Sequence, residues 1–128
     1  MRTFAIEGDS SAPSIFIDEE KSLVEISGYS TLKDTNWFYS NLLKWMIAFN
    51  SGKSRTRTIN IRLRRINDSS TKWLGLIFKK LVNLLPSANF EINWYMEGRN
   101  RRVLACGKTF QQLSGLKVNL IGTRGIAD

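Results

Sequence analysis

The sequence predicts an α/β fold, specifically a two-layer sandwich in which a mixed sheet of about five strands carries three helices on one face. Segments in which apolar and polar residues alternate are followed by segments with apolar residues at helical spacing, and this order recurs along the chain. The alternating segments are polar on one side, whereas strands covered on both faces would be apolar throughout. We therefore expect the second face of the sheet to be open to solvent.

The first predicted unit is a β-hairpin with strands at 14–17 and 22–27. Asp34 or Thr35 is then expected to cap a helix, since both are residues that favour the N-cap position. The later elements are a strand at 58–64, a helix at about 70–85 ended by Pro86, a strand at 90–97, a third helix ended by Gly115, and a strand at 116–120. The four tryptophans are expected at core-facing or half-buried positions, namely Trp37, Trp45, Trp73 and Trp94.

The length of 128 residues predicts a single domain over 1–128, with poorly ordered ends at 1–9 and 122–128. No apolar run approaches the ~20 residues that cross a bilayer, and the N-terminus lacks the apolar core of a secretion signal. We therefore expect a cytoplasmic protein with no membrane partner.

The chain contains no histidine and a single cysteine, Cys106. This composition removes a Ser-His-Asp triad, a histidine general base and the usual zinc ligands. No convincing pair of catalytic carboxylates is visible either. The sequence therefore predicts a protein that is not an enzyme and that holds no metal ion and no other cofactor.

Nineteen Lys and Arg residues against eleven Asp and Glu give a formal charge of +8. Such an excess indicates acidic partners or simply serves solubility. An alternative function is therefore a nucleic-acid-binding module, in which Tyr95 on the open sheet face stacks on a base. Its basic surface would consist of Arg55, Arg57, Arg62, Arg64, Arg65, Arg99, Arg101 and Arg102. No nucleic-acid-binding motif is present to support it.

The most informative stretch lies where the strand at 58–64 gives way to the next helix. It consists of Asn67, Asp68, Ser69, Ser70, Thr71 and Lys72. The start of a helix offers free backbone N–H groups and the positive end of the helix dipole, so it suits an anion. The same residues are also ordinary N-cap residues, and a plain cap is the simplest interpretation of them.

In this order and spacing, several segments together make the chain resemble the SiaC family of bacterial regulatory phosphoproteins. The segments are Ser11-Ala12-Pro13, Gly28-Tyr29-Ser30, Phe38-Tyr39 with Leu42-Leu43 and Trp45, Asn67 to Lys72, and Asn93-Trp94-Tyr95 with Glu97. The resemblance covers roughly residues 10–121, nearly the whole chain. It implies a fold like that of the anti-sigma-factor antagonists, the STAS-type domains.

The resemblance also implies a function. In the family, the threonine of an Asn-Thr-Ser-Ser-x-Lys motif is phosphorylated by a dedicated Ser/Thr kinase and dephosphorylated by a phosphatase. The phosphorylation state decides whether the protein binds a partner such as a diguanylate cyclase, whose cyclic-di-GMP output controls biofilm formation. The chain is accordingly expected to be a non-enzymatic signalling protein of a partner-switching pathway, with protein partners of these kinds.

At the position of the family's phosphorylated threonine this chain has Asp68. An aspartate carries a permanent negative charge, so the protein could be locked in a state that imitates phosphorylation. Alternatively, the switch has moved to Ser69, Ser70 or Thr71, with Ser69 the nearest in sequence. In the third interpretation Asp68 only caps the helix.

Overall fold

A computed structural model describes residues 3–48, 56–85, 89–98 and 100–123. The elements, in chain order, are β1 (Thr3–Ile6), β2 (Ser14–Asp18), β3 (Leu23–Ser30), α1 (Thr35–Ala48), β4 (Thr56–Ile66), α2 (Asp68–Leu84), β5 (Asn89–Glu97), α3 (Arg101–Ser114) and β6 (Val118–Thr123). The predicted α/β class and its mixed sheet are confirmed. Pro86, predicted to end α2, lies outside the described residues.

The six strands form one sheet in the order β1-β2-β3-β4-β5-β6. The pairs β1–β2 and β2–β3 are antiparallel, and the pairs β3–β4, β4–β5 and β5–β6 are parallel. Each parallel pair is joined through one helix, and every crossover moves along the sheet in the same direction. Since such crossovers are almost always right-handed, the three helices lie on the same face. In that layer α2 packs between α1 and α3.

The alternation of the two central strands places their apolar side chains under the helices, as predicted. In β4, Ile59, Ile61 and Leu63 are buried, whereas Arg62 and Arg64 are exposed on the other side. The equivalent inward residues of β5 include Ile92 and Trp94, both fully buried. The core is closed by aromatic contacts between strand and helices, with Phe110 stacked on Trp94 at 5.3 Å and edge-on to Phe78 at 5.4 Å between ring centroids.

Three sequence-based expectations need correction. Over the described residues the sheet has six strands and not about five, because Thr3–Ile6 form an edge strand within the stretch predicted to be a poorly ordered end. At the other end, β6 continues to Thr123, past the predicted boundary at 122. Trp37 is 63% exposed, because it lies on the outer side of α1, whereas Trp94 is in the core as expected.

The helices α2 and α3 approach each other closely at Gly75. A Cβ atom added there would lie 2.5 Å from the Cβ atom of Leu113 on α3. Gly107 of α3 likewise leaves room for the Trp94 ring, since an added Cβ atom would lie 2.8 Å from it. The two glycines therefore allow α3 to pack closely against both α2 and the sheet.

We predict that Gly75→Ala destabilises the protein. The strain of overpacking costs about 1–3 kcal/mol, and the better helix propensity of alanine returns about 1 kcal/mol. Urea unfolding followed by tryptophan fluorescence measures the difference. Gly122→Ala is the matched control, because an added Cβ atom there meets nothing within 4 Å. A Gly75→Ala variant about 1 kcal/mol more stable than the wild type, as helix propensity alone would give, would contradict the close approach.

Candidate functional site

The junction between β4 and α2 is organised by Asn67, the N-cap of α2. Its Oδ1 accepts a hydrogen bond from the Ser70 backbone N–H at 2.8 Å. Its Nδ2 donates to the Leu32 carbonyl at 3.0 Å, and its backbone N–H donates to the Ser30 carbonyl at 2.9 Å. Asn67 therefore ties the helix start to the end of β3, and the interpretation of Asp68 as the cap is wrong.

Asp68 is the first residue of α2, and its side chain is 88% exposed. Its Oδ1 accepts a hydrogen bond from Nη2 of Arg102 at 3.0 Å, and Nε of Arg102 donates to the Ile66 carbonyl at 3.3 Å. The carboxylate thus faces Arg102 on α3. A negative charge in the first turn also interacts favourably with the helix dipole.

The three hydroxyl residues of the junction have different environments. Ser70 and Thr71 are buried, with 0% and 2% exposure. The Thr71 hydroxyl donates to the Asn67 carbonyl at 3.1 Å. Ser69 lies on the surface, where its hydroxyl forms a 2.6 Å hydrogen bond with that of Thr35 at the start of α1. Of the three, Ser69 is therefore the residue that an enzyme could reach.

A buried chain of hydroxyl groups lies directly beneath the junction. The Ser30 hydroxyl donates to Ser70 Oγ at 2.7 Å and lies 2.5 Å from the hydroxyl of Tyr39 on α1. Since the Ser30 proton is directed at Ser70, Tyr39 is the donor in the second contact. Burial raises the pKa of Tyr39 to about 12, against the smaller opposite effect of the hydrogen bonds with Ser30 and Ser70. The chain connects β3, α1 and α2 through neutral groups.

We predict that Tyr39 makes the protein sensitive to alkali. The folded-state pKa of about 12 exceeds the usual 10.0. The contribution of the neutral Tyr39 hydroxyl to the free energy of unfolding is therefore complete below pH 10, and it is lost as the pH rises through the folded-state pKa. Unfolding free energies of the wild type and Tyr39→Phe, measured at about pH 9 and about pH 11, should therefore converge by about 1 kcal/mol. An identical pH dependence of the two proteins would contradict the buried hydroxyl chain.

The predicted basic surface is divided in the structure. Arg57 lies near the start of β4, and Arg62 lies on the open sheet face with its guanidinium 3.7 Å from the Tyr95 ring centroid. One face of the Tyr95 ring, predicted to be free for a base, is therefore covered. Arg64 pairs with Glu97 at 3.6 Å, as expected for exposed neighbours. Arg55 and Arg99 lie outside the described residues.

The other predicted arginines, Arg65, Arg101 and Arg102, lie around the junction, and Arg64 is beside them. A β-bulge at Arg64, where the pairing with β3 skips one residue, leaves Arg64 and Arg65 both exposed just before Asn67. An open cleft of about 400 Å³ contains both of them together with Arg102. A second cleft, of about 580 Å³, lies between α2 and α3 and is lined by Asp68, Thr71, Lys72, Arg101, Arg102, Ala105, Cys106 and Thr109. The junction therefore places the Asp68 carboxylate among several basic side chains.

Sequence reasoning missed Asn100. Its Oδ1 caps α3 by accepting from the Val103 backbone N–H at 3.1 Å, and its Nδ2 donates to the Arg64 carbonyl at 3.1 Å. It therefore fixes the start of α3, and with it Arg102, against β4. The available signal was an N-cap residue placed directly before a helix, as at Asn67.

Within the described parts of the chain, no group of three or more His, Cys, Asp or Glu side chains is placed to hold a metal ion. In those parts there is also no helix with the length and apolar character needed to span a membrane.

The family model of the SiaC family regulatory phosphoproteins matches residues 6–123. The chain belongs to this family. The resemblance read from the sequence is thereby confirmed, and the junction at 67–72 lies inside the matched region.

Solved structures that contain SiaC from Pseudomonas aeruginosa share this fold. The complex of the diguanylate cyclase SiaD with its activator SiaC matches with a TM-score of 0.78 and 21% identity, over 94% of this chain and 99% of that chain. The apo-SiaC structure matches with a TM-score of 0.76 and 19% identity, over 94% and 99%. A further SiaC structure gives 0.76 and 20%, over 98% and 100%. Among curated proteins, none matches the chain.

Proposed function

We propose that this chain is a non-enzymatic regulator of a partner-switching pathway, acting in the cytoplasm. It binds a diguanylate cyclase-type effector, and a Ser/Thr kinase or phosphatase, through the exposed rim at the start of α2. The rim consists of Asp68, Ser69 and Lys72, with Arg102 beside them. Membership of a family of regulatory phosphoproteins supports the proposal, as does the complex of SiaC with SiaD in Pseudomonas aeruginosa.

The pairing of Asp68 with Arg102 is the observation that carries the proposal. An arginine beside a carboxylate reproduces the contact that an arginine makes with a phosphate, although the carboxylate has less charge and fewer oxygens. At 88% exposure the Asp68 side chain is available to a partner in spite of this hydrogen bond. The rim therefore presents a permanent anion where the family motif has a threonine.

The same geometry argues against a switch that has moved along the motif. Ser70 and Thr71 are buried, so a kinase would have to unfold the start of α2 to reach them. Ser69 is accessible, but its hydroxyl is engaged with Thr35. We therefore favour a chain held in the phosphorylated-like state by Asp68.

The nucleic-acid alternative is less well supported. A backbone of phosphates is bound by a continuous array of cations. Among the described arginines, Arg57 lies near the start of β4, whereas Arg65 lies near its other end, in one cleft with Arg102. Most of the length of this 11-residue strand separates the two positions. Arg62 and Arg64 on the sheet face are engaged with Tyr95 and Glu97.

We predict that removing the negative charge at position 68 changes recognition by the effector. Asp68→Ala and Asp68→Asn should alter its affinity by about tenfold or more, which corresponds to about 1.4 kcal/mol. Asp68→Glu keeps the charge and should remain close to the wild type. Isothermal titration calorimetry with the diguanylate cyclase of the same organism measures these affinities.

The control for this series is Glu91→Ala, which removes an exposed carboxylate from β5, away from the rim. It should leave the affinity unchanged. If Asp68→Ala binds as tightly as the wild type and Glu91→Ala, the rim is not what the effector recognises.

A further inference from the structure

The charges of the helical layer are strongly one-sided. Over α1, α2 and α3, the basic residues are all exposed, namely Lys44, Lys72, Lys79, Lys80, Arg101, Arg102 and Lys108. Asp68 is the single carboxylate on these three helices, all of whose residues the structure describes. The remaining described carboxylates lie on the strands and in the loops. The outer face of the helices is therefore complementary to an acidic partner.

The cleft between α2 and α3, called here the interhelical groove, concentrates this charge. Lys72 of α2 and Arg101 and Arg102 of α3 stand along it, all three exposed. Its other lining residues are small, and two of them, Thr71 and Cys106, are buried. The cleft is open to solvent, so the acidic side chains of a bound segment can reach the three cations.

Asp68 lines the same groove and already pairs with one of its basic side chains. Its carboxylate receives the hydrogen bond from Arg102 at 3.0 Å. A carboxylate arriving from outside would have to replace Asp68 at that guanidinium or bind beside it against a like charge. Asp68 therefore acts as an internal competitor for an acidic ligand of the groove.

We propose that the interhelical groove is the docking site for an acidic segment of the protein partner, and that Asp68 weakens this docking by competing for Arg102. The inference rests on the proposed function, because it identifies the chemistry of the partner that reads the rim. The partner segment presents carboxylates to Lys72, Arg101 and Arg102. Asp68 determines how much of the positive charge of Arg102 is available to that segment.

The test uses the full chain and a fluorescein-labelled Glu-rich peptide as the probe, with fluorescence anisotropy as the readout. Charge reversal in the groove, in Lys72→Glu/Arg101→Glu, should weaken peptide binding by about tenfold or more. The matched control Lys79→Glu/Lys80→Glu makes the same change of charge on α2 outside the groove, and should weaken binding by less than about threefold. Asp68→Asn should strengthen it by about threefold or more, because it frees Arg102 and removes a repulsive charge.

Equal weakening of peptide binding by the two double variants would contradict docking in the interhelical groove, because the peptide would then respond to net charge alone. An Asp68→Asn variant that binds the peptide no more tightly than the wild type would contradict the proposed competition of Asp68 for Arg102. Binding of mixed-sequence RNA that requires Lys72 and Arg101, without binding of the peptide, would assign the groove to another ligand and overturn the proposal. The assay contains no effector, so its failure is separate from that of the calorimetric test of Asp68.

Discussion

The hydrogen bonds of Asn67 are the constraint on which the geometry of the site depends. A single side chain caps α2 and holds it to Leu32, while its backbone N–H bonds to Ser30 at the end of β3. Once the helix start is fixed in this way, helical periodicity decides the direction of each following residue. Asp68 and Ser69 point to solvent, whereas Ser70 and Thr71 point into the protein. The division of the motif into a rim and a buried support follows from that one cap.

The buried residues beneath the rim, Ser70 and Thr71, are polar, and both hydroxyl groups are hydrogen-bonded. Ser70 belongs to the hydroxyl chain with Ser30 and Tyr39, and this chain connects the sheet to two helices. Buried polar groups are costly unless they are hydrogen-bonded, so the chain strongly favours one arrangement of α1, β3 and α2. A phosphate on Ser70 would have no space and no solvent. The surface charge of the rim can therefore change without disturbing the fold only at Asp68 and its exposed neighbours.

Much of the fold could be predicted because its signals are local. The alternation in β4 and β5 identified the buried face, and the capping residues Asp34 and Thr35 identified the start of α1. The short edge strand β1 was missed, since it contributes few residues and pairs with β2 through its backbone. Asn67 and Asp68 are both good N-cap residues, so the sequence could not decide between them.

The candidate site was less predictable because it depends on contacts distant in sequence. Asp68 and Arg102 are 34 positions apart, and they meet because consecutive right-handed crossovers place α2 beside α3. The same topology separates Arg57 from Arg102, although both belonged to one predicted surface. Composition shows an excess of positive charge, but only the arrangement of the helices shows that it is gathered around a single carboxylate.

The anion at position 68 is permanent, so under the proposed function recognition of the effector does not depend on phosphorylation. The most direct measurement is the affinity of the wild-type chain for the proposed partner, a diguanylate cyclase of the same organism, before and after treatment with ATP and the Ser/Thr kinase proposed to act on the chain. Intact-mass spectrometry on the same samples counts any added phosphate, and tandem mass spectrometry of peptides locates it. The account predicts no phosphate within residues 67–72 and an unchanged affinity. Stoichiometric phosphorylation of Ser69 accompanied by a change in affinity of about tenfold would contradict it.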